Sequence, residues 1–267
     1  MKRKYFFFDI DGTLTDRATG KMVPSAAEAV KKLQAAGHFV SIATGRAFYK
    51  AEAFRKTSPF ENMVCNGGHG LVVAGELREN RPLELEKAKA VAREAEALGY
   101  GVLFTLDDST RVYTKDFRFY EQAGLRREPT VYIIDPDLDL EKLDPIWKMY
   151  ISIPEAEEGR LSTLNTLGHL RFHPPYLMFQ PDEKREGILR MLEEYTEGKP
   201  EDVVVFGDDY NDLCMFDPRF FGVAMGNACE ALKEKADYVT RANVEDGIYA
   251  ACESQGWFEP VSEEPLS

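Results

Sequence analysis

Residues 4–13 read Lys4-Tyr5-Phe6-Phe7-Phe8-Asp9-Ile10-Asp11-Gly12-Thr13. Tyr5 to Phe8 is an unbroken apolar run rich in β-forming residues, which suits a strand buried on both faces of a parallel sheet. It stops in two acids and a glycine. The same grammar recurs outward from this stretch. Pro24-Ser25 opens a helical segment with Ala26, Ala29, Val30 and Leu33 on one face and Gly37 as its stop. Phe39 to Ala43 reads as a second buried strand ending in Thr44-Gly45-Arg46, and a helix over 47–55 follows. Met63 to Cys65 reads as a third strand, ending in Asn66-Gly67-Gly68. Strand and helix alternate, with polar residues collecting after each strand. That pattern predicts an α/β fold, a doubly wound, mostly parallel (Rossmann-like) sheet with ligands outside the carboxyl ends of its strands.

The character changes near residue 82. An amphipathic helix over 83–98 ends at Gly99, and short strand-like runs follow around 102, 111, 131, 149, 169 and 176. These predict an inserted α+β domain with a more antiparallel sheet. Near Glu183 the first style returns, with a helix carrying Ile188, Met191 and Leu192, then the buried strand Val203 to Phe206. The expected organisation is a discontinuous core, 1–81 and 183–267, around a cap at 82–182. The acidic tail beyond Trp257 is expected to fray.

The 267 residues carry 33 Lys+Arg against 46 Asp+Glu, a formal net charge of −13. That balance disfavours nucleic acid and anionic membranes as partners, since both demand an excess of cations. A local basic pocket for a small anion stays compatible with it. Cys65, Cys214, Cys229 and Cys252 form no C-x-x-C pair and read as small buried hydrophobes. Asp9 and Asp11 cut the N-terminal apolar run too early for a signal peptide, so a cytoplasmic protein is expected. The absence of a long exposed apolar stripe makes a monomer or weak homodimer the expectation.

Chemistry is carried by the strand ends. Asp9 and Asp11 alone could form an ordinary Asx-type turn. A second acidic cluster, Gly207-Asp208-Asp209-Tyr210-Asn211-Asp212, follows the strand at 203–206. If the two strands are neighbours, Asp9, Asp11, Asp208 and Asp212 share one rim, where carboxylates repel unless a cation holds them. With no Cys or His among them, a hard ion is favoured, and Mg²⁺ fits best. Thr44-Gly45-Arg46, between a strand and a helix, offers a hydroxyl, close backbone approach and a cation to an anion. By position alone, Lys184 reads as a solvated lysine among Asp182, Glu183, Arg185 and Glu186.

Together these residues resemble the haloacid dehalogenase superfamily of phosphoryl-transfer enzymes. The motifs are Asp9-x-Asp11-Gly12-Thr13, Ala43-Thr44-Gly45-Arg46, Lys184, and Gly207-Asp208-x-x-Asn211-Asp212, in the family's order. Asn66-Gly67-Gly68, Gly222-Val223-Ala224-Met225-Gly226-Asn227 and the insert after the second motif make the Cof-type phosphatases the nearer likeness. The third motif departs from that subfamily's Lys-Gly pair, because Arg185-Glu186 precede Gly187; Lys184 is taken as the motif's lysine, with Arg185 as the alternative. The resemblance implies Asp9 as nucleophile, forming an aspartyl-phosphate, and Asp11 as general acid and then base. It implies Mg²⁺ held by Asp9, the Asp11 carbonyl, Asp208 and Asp212. Thr13, Thr44, Gly45, Arg46, Asn66, Lys184 and Asn211 would bind the phosphoryl group or substrate. The implied activity is that of a phosphatase on a small phosphorylated metabolite, a sugar phosphate or a phosphorylated cofactor. A hexose phosphomutase using the same intermediate and a silent metabolite-binding protein are the alternatives. Arg111, Lys148, His173 and Tyr176 are cap positions with a reach toward a polar leaving group, none of them assigned.

Overall fold

The computed structural model describes residues 1–126 and 128–262. Two compact units form, Met1–Asn80 with Glu183–Ser267, and Arg81–Asp182 between them in sequence. The first segment runs β1 (Tyr5–Phe8), α1 (Pro24–Ala35), β2 (Phe39–Ala43), α2 (Phe48–Arg55), β3 (Asn62–Cys65), β4 (Gly70–Val73) and β5 (Glu76–Asn80). The second unit holds α3 (Leu85–Ala97), β6 (Val102–Thr105), β7 (Arg111–Thr114), α4 (Arg118–Ala123), β8 (Val131–Ile134), β9 (Lys148–Ile151), β10 (His169–His173) and β11 (Tyr176–Phe179). The chain then returns with α5 (Lys184–Tyr195), β12 (Val203–Gly207), β13 (Phe221–Ala224), α6 (Glu230–Lys235), β14 (Tyr238–Val239) and α7 (Gly247–Ser254).

The first unit's sheet has the order β14-β13-β12-β1-β2-β3-β4-β5. From β14 to β3 every pairing is parallel, and β4 and β5 add an antiparallel edge. The strand β1 is apolar throughout because both its faces are covered. Phe6 and Phe8 join Val204, Phe206 and the α1 residues Ala29, Val30 and Leu33 on one face. Tyr5 and Phe7 join Val203, Val205 and the α5 residues Ile188, Met191 and Leu192 on the other. Each such phenylalanine contributes about 1.5–3 kcal/mol relative to leaving it in water. The chain leaves β1 toward β2 on one side, and after the insert enters β12 on the other. The order therefore reverses between β1 and β12, the place where open α/β sheets bind ligands.

The sequence pattern does not announce the β4–β5 edge. Its turn uses Ala74 (φ 51) and Gly75 (φ 82), and β5 is the polar string Glu-Leu-Arg-Glu-Asn. Strongly charged strands belong at edges, where they discourage further pairing. The tail also differs from expectation as far as residue 262. The Val261 amide donates to the Ala36 carbonyl, the Ser262 amide to the Met1 carbonyl, and Trp257 is buried against Phe6 and Phe206. Residues 263–267, the rest of that expectation, lie outside the described residues.

The second unit has a six-stranded sheet in the order β10-β11-β9-β6-β7-β8, antiparallel except for the β7–β8 pair. Along β9, Met149 and Ile151 pack with Ala88, Val91, Ala92 and Ala95 of α3. Tyr150, one residue out of phase, packs on the opposite face with Phe119 of α4, Tyr176 and Met178. Among the described residues, no helix is long and apolar enough to cross a membrane.

Candidate active site

The pairing of β1 with β12 sets Phe8 against Phe206, so the chain emerges from both strands at the same level. The Asp9 amide still donates to the Phe206 carbonyl, at 3.0 Å. Asp9, Asp208 and Asp212 are all buried and offer oxygens within 4.8 Å of one another. The sequence spacing anticipates this convergence. It does not anticipate how strongly each carboxylate is held.

Asp9 accepts from the Asp11 amide at 2.9 Å on one oxygen and from the Lys184 ammonium at 2.9 Å on the other. Lys184 also donates to Asp212 at 2.6 Å, and only 1% of its side chain is exposed. It is therefore Lys184 that reaches the carboxylates. Arg185 pairs on the surface with Glu186. The start of α5 reaches this position by packing tightly on the loop after β3. A Cβ on Gly187 would meet Gly68 backbone at 2.8 Å, and one on Gly68 would meet the Glu183 carbonyl at 2.0 Å. An ammonium in the first turn of a helix opposes the macrodipole, and the two carboxylates offset that cost.

Asp212 is a bracket more than an open ligand. Its second oxygen accepts from the Asp208 amide at 2.9 Å and the Asp209 amide at 3.2 Å, which ties the loop after β12 into shape. Asp208 accepts from the Thr13 hydroxyl at 3.0 Å on one oxygen and from Arg17 at 2.7 Å on the other. Thr13 thus positions a carboxylate. Asn227 donates to the Gly12 carbonyl and Asn243 to the Thr15 carbonyl, both pinning the loop after β1.

Asp11 is different, with 58% of its side chain exposed. The Arg46 guanidinium grips it with two bonds, at 2.8 and 2.5 Å. Arg46 here caps a carboxylate, one of the two roles open to it in the sequence. The Thr44 hydroxyl accepts from the Arg46 amide at 3.2 Å, and half-buried Gly45 lies between them. Asn66, buried and at φ 48, turns its amide to Asn80 across the edge hairpin at 3.2 Å. Asn211 is half-buried in the short 3-10 turn Tyr210–Met215, one residue before Asp212.

The electrostatics follow from burial. Desolvation, with Asp212 close by, raises the Asp9 carboxyl well above the usual carboxylate range. Desolvation and Asp212 also push Asp208 up, to about 6. Burial alone would lower the Lys184 ammonium, yet Asp212 and Asp9 raise it. Burial would raise Asp11, but the hydrogen bonds and charge of Arg46 bring it below its ordinary value. Three carboxyl groups, Asp9, Asp208 and Asp212, face two basic side chains, Lys184 and Arg17. The set is anionic, all-oxygen and compact, and a hard divalent cation fits it.

A family model of haloacid dehalogenase-like hydrolases matches residues 6–251. The chain belongs to that family of enzymes. It is 30% identical to YkrA of Bacillus subtilis over 261 residues, 96% of this chain and 99% of that one. It is 28% identical to the phosphoglycolate phosphatase of Methanosarcina acetivorans, covering 96% of this chain and all of that one. Among solved structures, the subclass IIB sugar phosphatase BT4131 superposes with a TM-score of 0.74 at 28% identity, over 95% of this chain and 99% of the other.

Sequence reasoning missed Arg17 altogether and left Asp209 without a role. Arg17 lies six residues past Asp11 in an unremarkable polar loop, and its partners are 191 and 192 residues away. Nothing local marks such a contact.

Proposed function

We propose that the protein is a cytoplasmic, monomeric or weakly dimeric Mg²⁺-dependent phosphatase. It would release phosphate from small phosphorylated metabolites, such as sugar phosphates or phosphorylated cofactors, through an aspartyl-phosphate on Asp9. The observation that carries this reading is the buried junction of Asp9, Lys184, Asp208 and Asp212 at the β1–β12 reversal point. Asp9, the Asp11 carbonyl and Asp208 would hold Mg²⁺, with Asp212 supporting from behind. Bound Mg²⁺ would supply the positive charge that offsets repulsion between substrate phosphate and these carboxylates.

In this reading the Asp9 carboxylate attacks phosphorus in line, a P–O bond to Asp9 forms, and the ester P–O bond breaks. A carboxylate is a weak nucleophile, so orientation supplies much of the acceleration. The Asp11 amide and the Lys184 ammonium fix both oxygens of Asp9. Lys184, Thr44 and the surrounding loops, including Gly45, Asn66 and Asn211, stabilise charge on the phosphoryl oxygens. Asp11 gives its proton to the leaving alkoxide and then takes one from the hydrolytic water, whose oxygen bonds to phosphorus as the Asp9–phosphorus bond breaks and phosphate leaves. As found, the Arg46 grip holds Asp11 ionised, the form required for the second half. The acid role requires that grip to open, so Arg46 governs when Asp11 carries a proton. Residues 82–182 are read as a cap that selects the leaving group, with 1–81 and 183–267 as the catalytic core.

The test is phosphate release from p-nitrophenyl phosphate and a panel of sugar phosphates, phosphoglycolate and pyridoxal phosphate, with Mg²⁺ or EDTA. Release that needs the metal and vanishes in Asp9→Asn supports the reading. Turnover that survives EDTA, or survives Asp9→Asn, rejects it.

A further inference from the structure

Arg17 bridges two carboxylates with one nitrogen, Nη2, at 2.7 Å from Asp208 and 2.8 Å from Asp209. Asp208 is almost wholly buried, whereas Asp209 is 36% exposed. The placement is built. Asp16 closes a tight turn through Ala18 and Thr19, which holds Arg17 at its tip. Gly12 (φ 91) leaves the space between, since a Cβ there would lie 2.2 Å from Asp208 and 2.4 Å from Arg17 Nε. Asp209 spends its other oxygen on the Tyr210 amide, so its seat for the guanidinium persists whatever happens at Asp208. With Thr13 on the remaining oxygen of Asp208, any cation approaching that carboxylate meets either a hydroxyl or a guanidinium.

We propose that Arg17 is a positioning residue that competes with the divalent cation for Asp208, and that Asp209 is the seat onto which it withdraws. The inference rests on the metal reading above. The pair gives the site a resident positive charge that keeps Asp208 aimed and raises the threshold for ion uptake. Asp209 lowers that threshold in turn, because a guanidinium with a second carboxylate need not be expelled into water.

Calorimetric titration with Mn²⁺, without substrate, tests this on the full chain. The variants are Arg17→Gln, Asp209→Asn, their double combination, Arg17→Lys and Asp208→Asn. Asparagine caps a helical turn as well as aspartate does, so Asp209→Asn spares the fold of the loop. Arg17→Gln should tighten Mn²⁺ about tenfold and Asp209→Asn should weaken it about threefold, the second effect vanishing in the Arg17→Gln background. Arg17→Lys should fall between wild type and Arg17→Gln, since it keeps the charge but loses the reach and planar shape of the guanidinium. Simple loss of charge predicts additive effects, so an equal Asp209→Asn penalty in both backgrounds would overturn the competition. Unchanged or weakened affinity in Arg17→Gln would overturn it too. A saturable site lost in Asp208→Asn but indifferent to Arg17 removes this proposal alone. No uptake by the wild type removes the metal reading and this proposal together.

Discussion

The rim of the eight-stranded sheet and the six-stranded sheet of the second unit use charge in opposite ways. At the rim, Lys184 is sealed between Asp9 and Asp212, and five acids lie within one loop cluster. In the second unit the ion pairs lie mostly at the surface, as with Arg93–Glu141 and Arg160–Glu157, and apolar packing around Met149 and Ile151 holds the sheet. Its more buried cations draw on neutral groups as well as on acids such as Glu128 and Glu158. Lys148 donates to the Gln180 side chain at 2.7 Å, and Arg126 lies over the Tyr150 ring at 3.8 Å. Charge concentrated against desolvation costs stability and is kept where chemistry needs it; charge left in water costs little and contributes little.

The contrast can be broken at its strongest point first. Asp9→Asn should lower phosphate release at least about 10⁴-fold while leaving the far-UV circular dichroism unchanged, if it removes the nucleophile and little else. Lys184→Met comes next, because it strands two buried carboxylates. Urea denaturation in EDTA should show a loss of about 3–5 kcal/mol. A loss under 1 kcal/mol would mean that the rim is no more costly than a surface pair. In the second unit, Ile151→Ala opens a fully buried site and should cost about 2–5 kcal/mol by the same measurement. It should leave Mn²⁺ affinity unchanged, and a shift in that affinity would show that the two regions are not energetically separate.

Smaller effects sharpen the same contrast. Glu94 accepts from the amides and hydroxyls of Ser162 and Thr163. Burial would raise its carboxyl, but these bonds bring it down to about 2 from an ordinary 4.5. Its folded value is depressed, so its contribution is complete above 4.5 and fades as pH falls toward 2. The acid limb of a thermal melting curve should therefore flatten in Glu94→Gln, and an unchanged limb would assign the slope elsewhere. Arg185→Ala should change stability by less than about 0.5 kcal/mol, being a surface partner of Glu186.

Much of the core was legible in the chain itself because both faces of β1, β2 and β12 are covered, which forces apolar runs, and polar residues then mark the rim. The Asp9–Asp208–Asp212 convergence follows from that register. Lys184 was not legible by position, since a lysine among charged neighbours looks the same whether solvated or buried; only its match to a motif raised it. Its burial depends on the Gly68–Gly187 approach, which is a three-dimensional fact. Arg17 and the β4–β5 edge were missed for related reasons. Arg17 acts through partners nearly two hundred residues distant, and a charged edge strand carries no periodic apolar face. In the second unit, the helix and strand runs could be read, but the parallel β7–β8 pair could not, because pairing direction is set by where the chain returns.

The division of the first unit by an insert also orders events in time. Asp9, Asp11, Thr44 and Arg46 are synthesised before the insert, and Lys184, Asp208 and Asp212 after it. At about 5–20 residues per second, a ribosome needs roughly 5–20 s to cross the intervening hundred residues. Throughout that interval the β12-facing edge of the phenylalanine strand has no partner, while the insert has all its own strands in one contiguous stretch. The nascent chain can thus finish its contiguous sheet before its central one, and a premature stop between the end of the insert and Asp208 leaves Asp9 and Asp11 without the second acidic cluster.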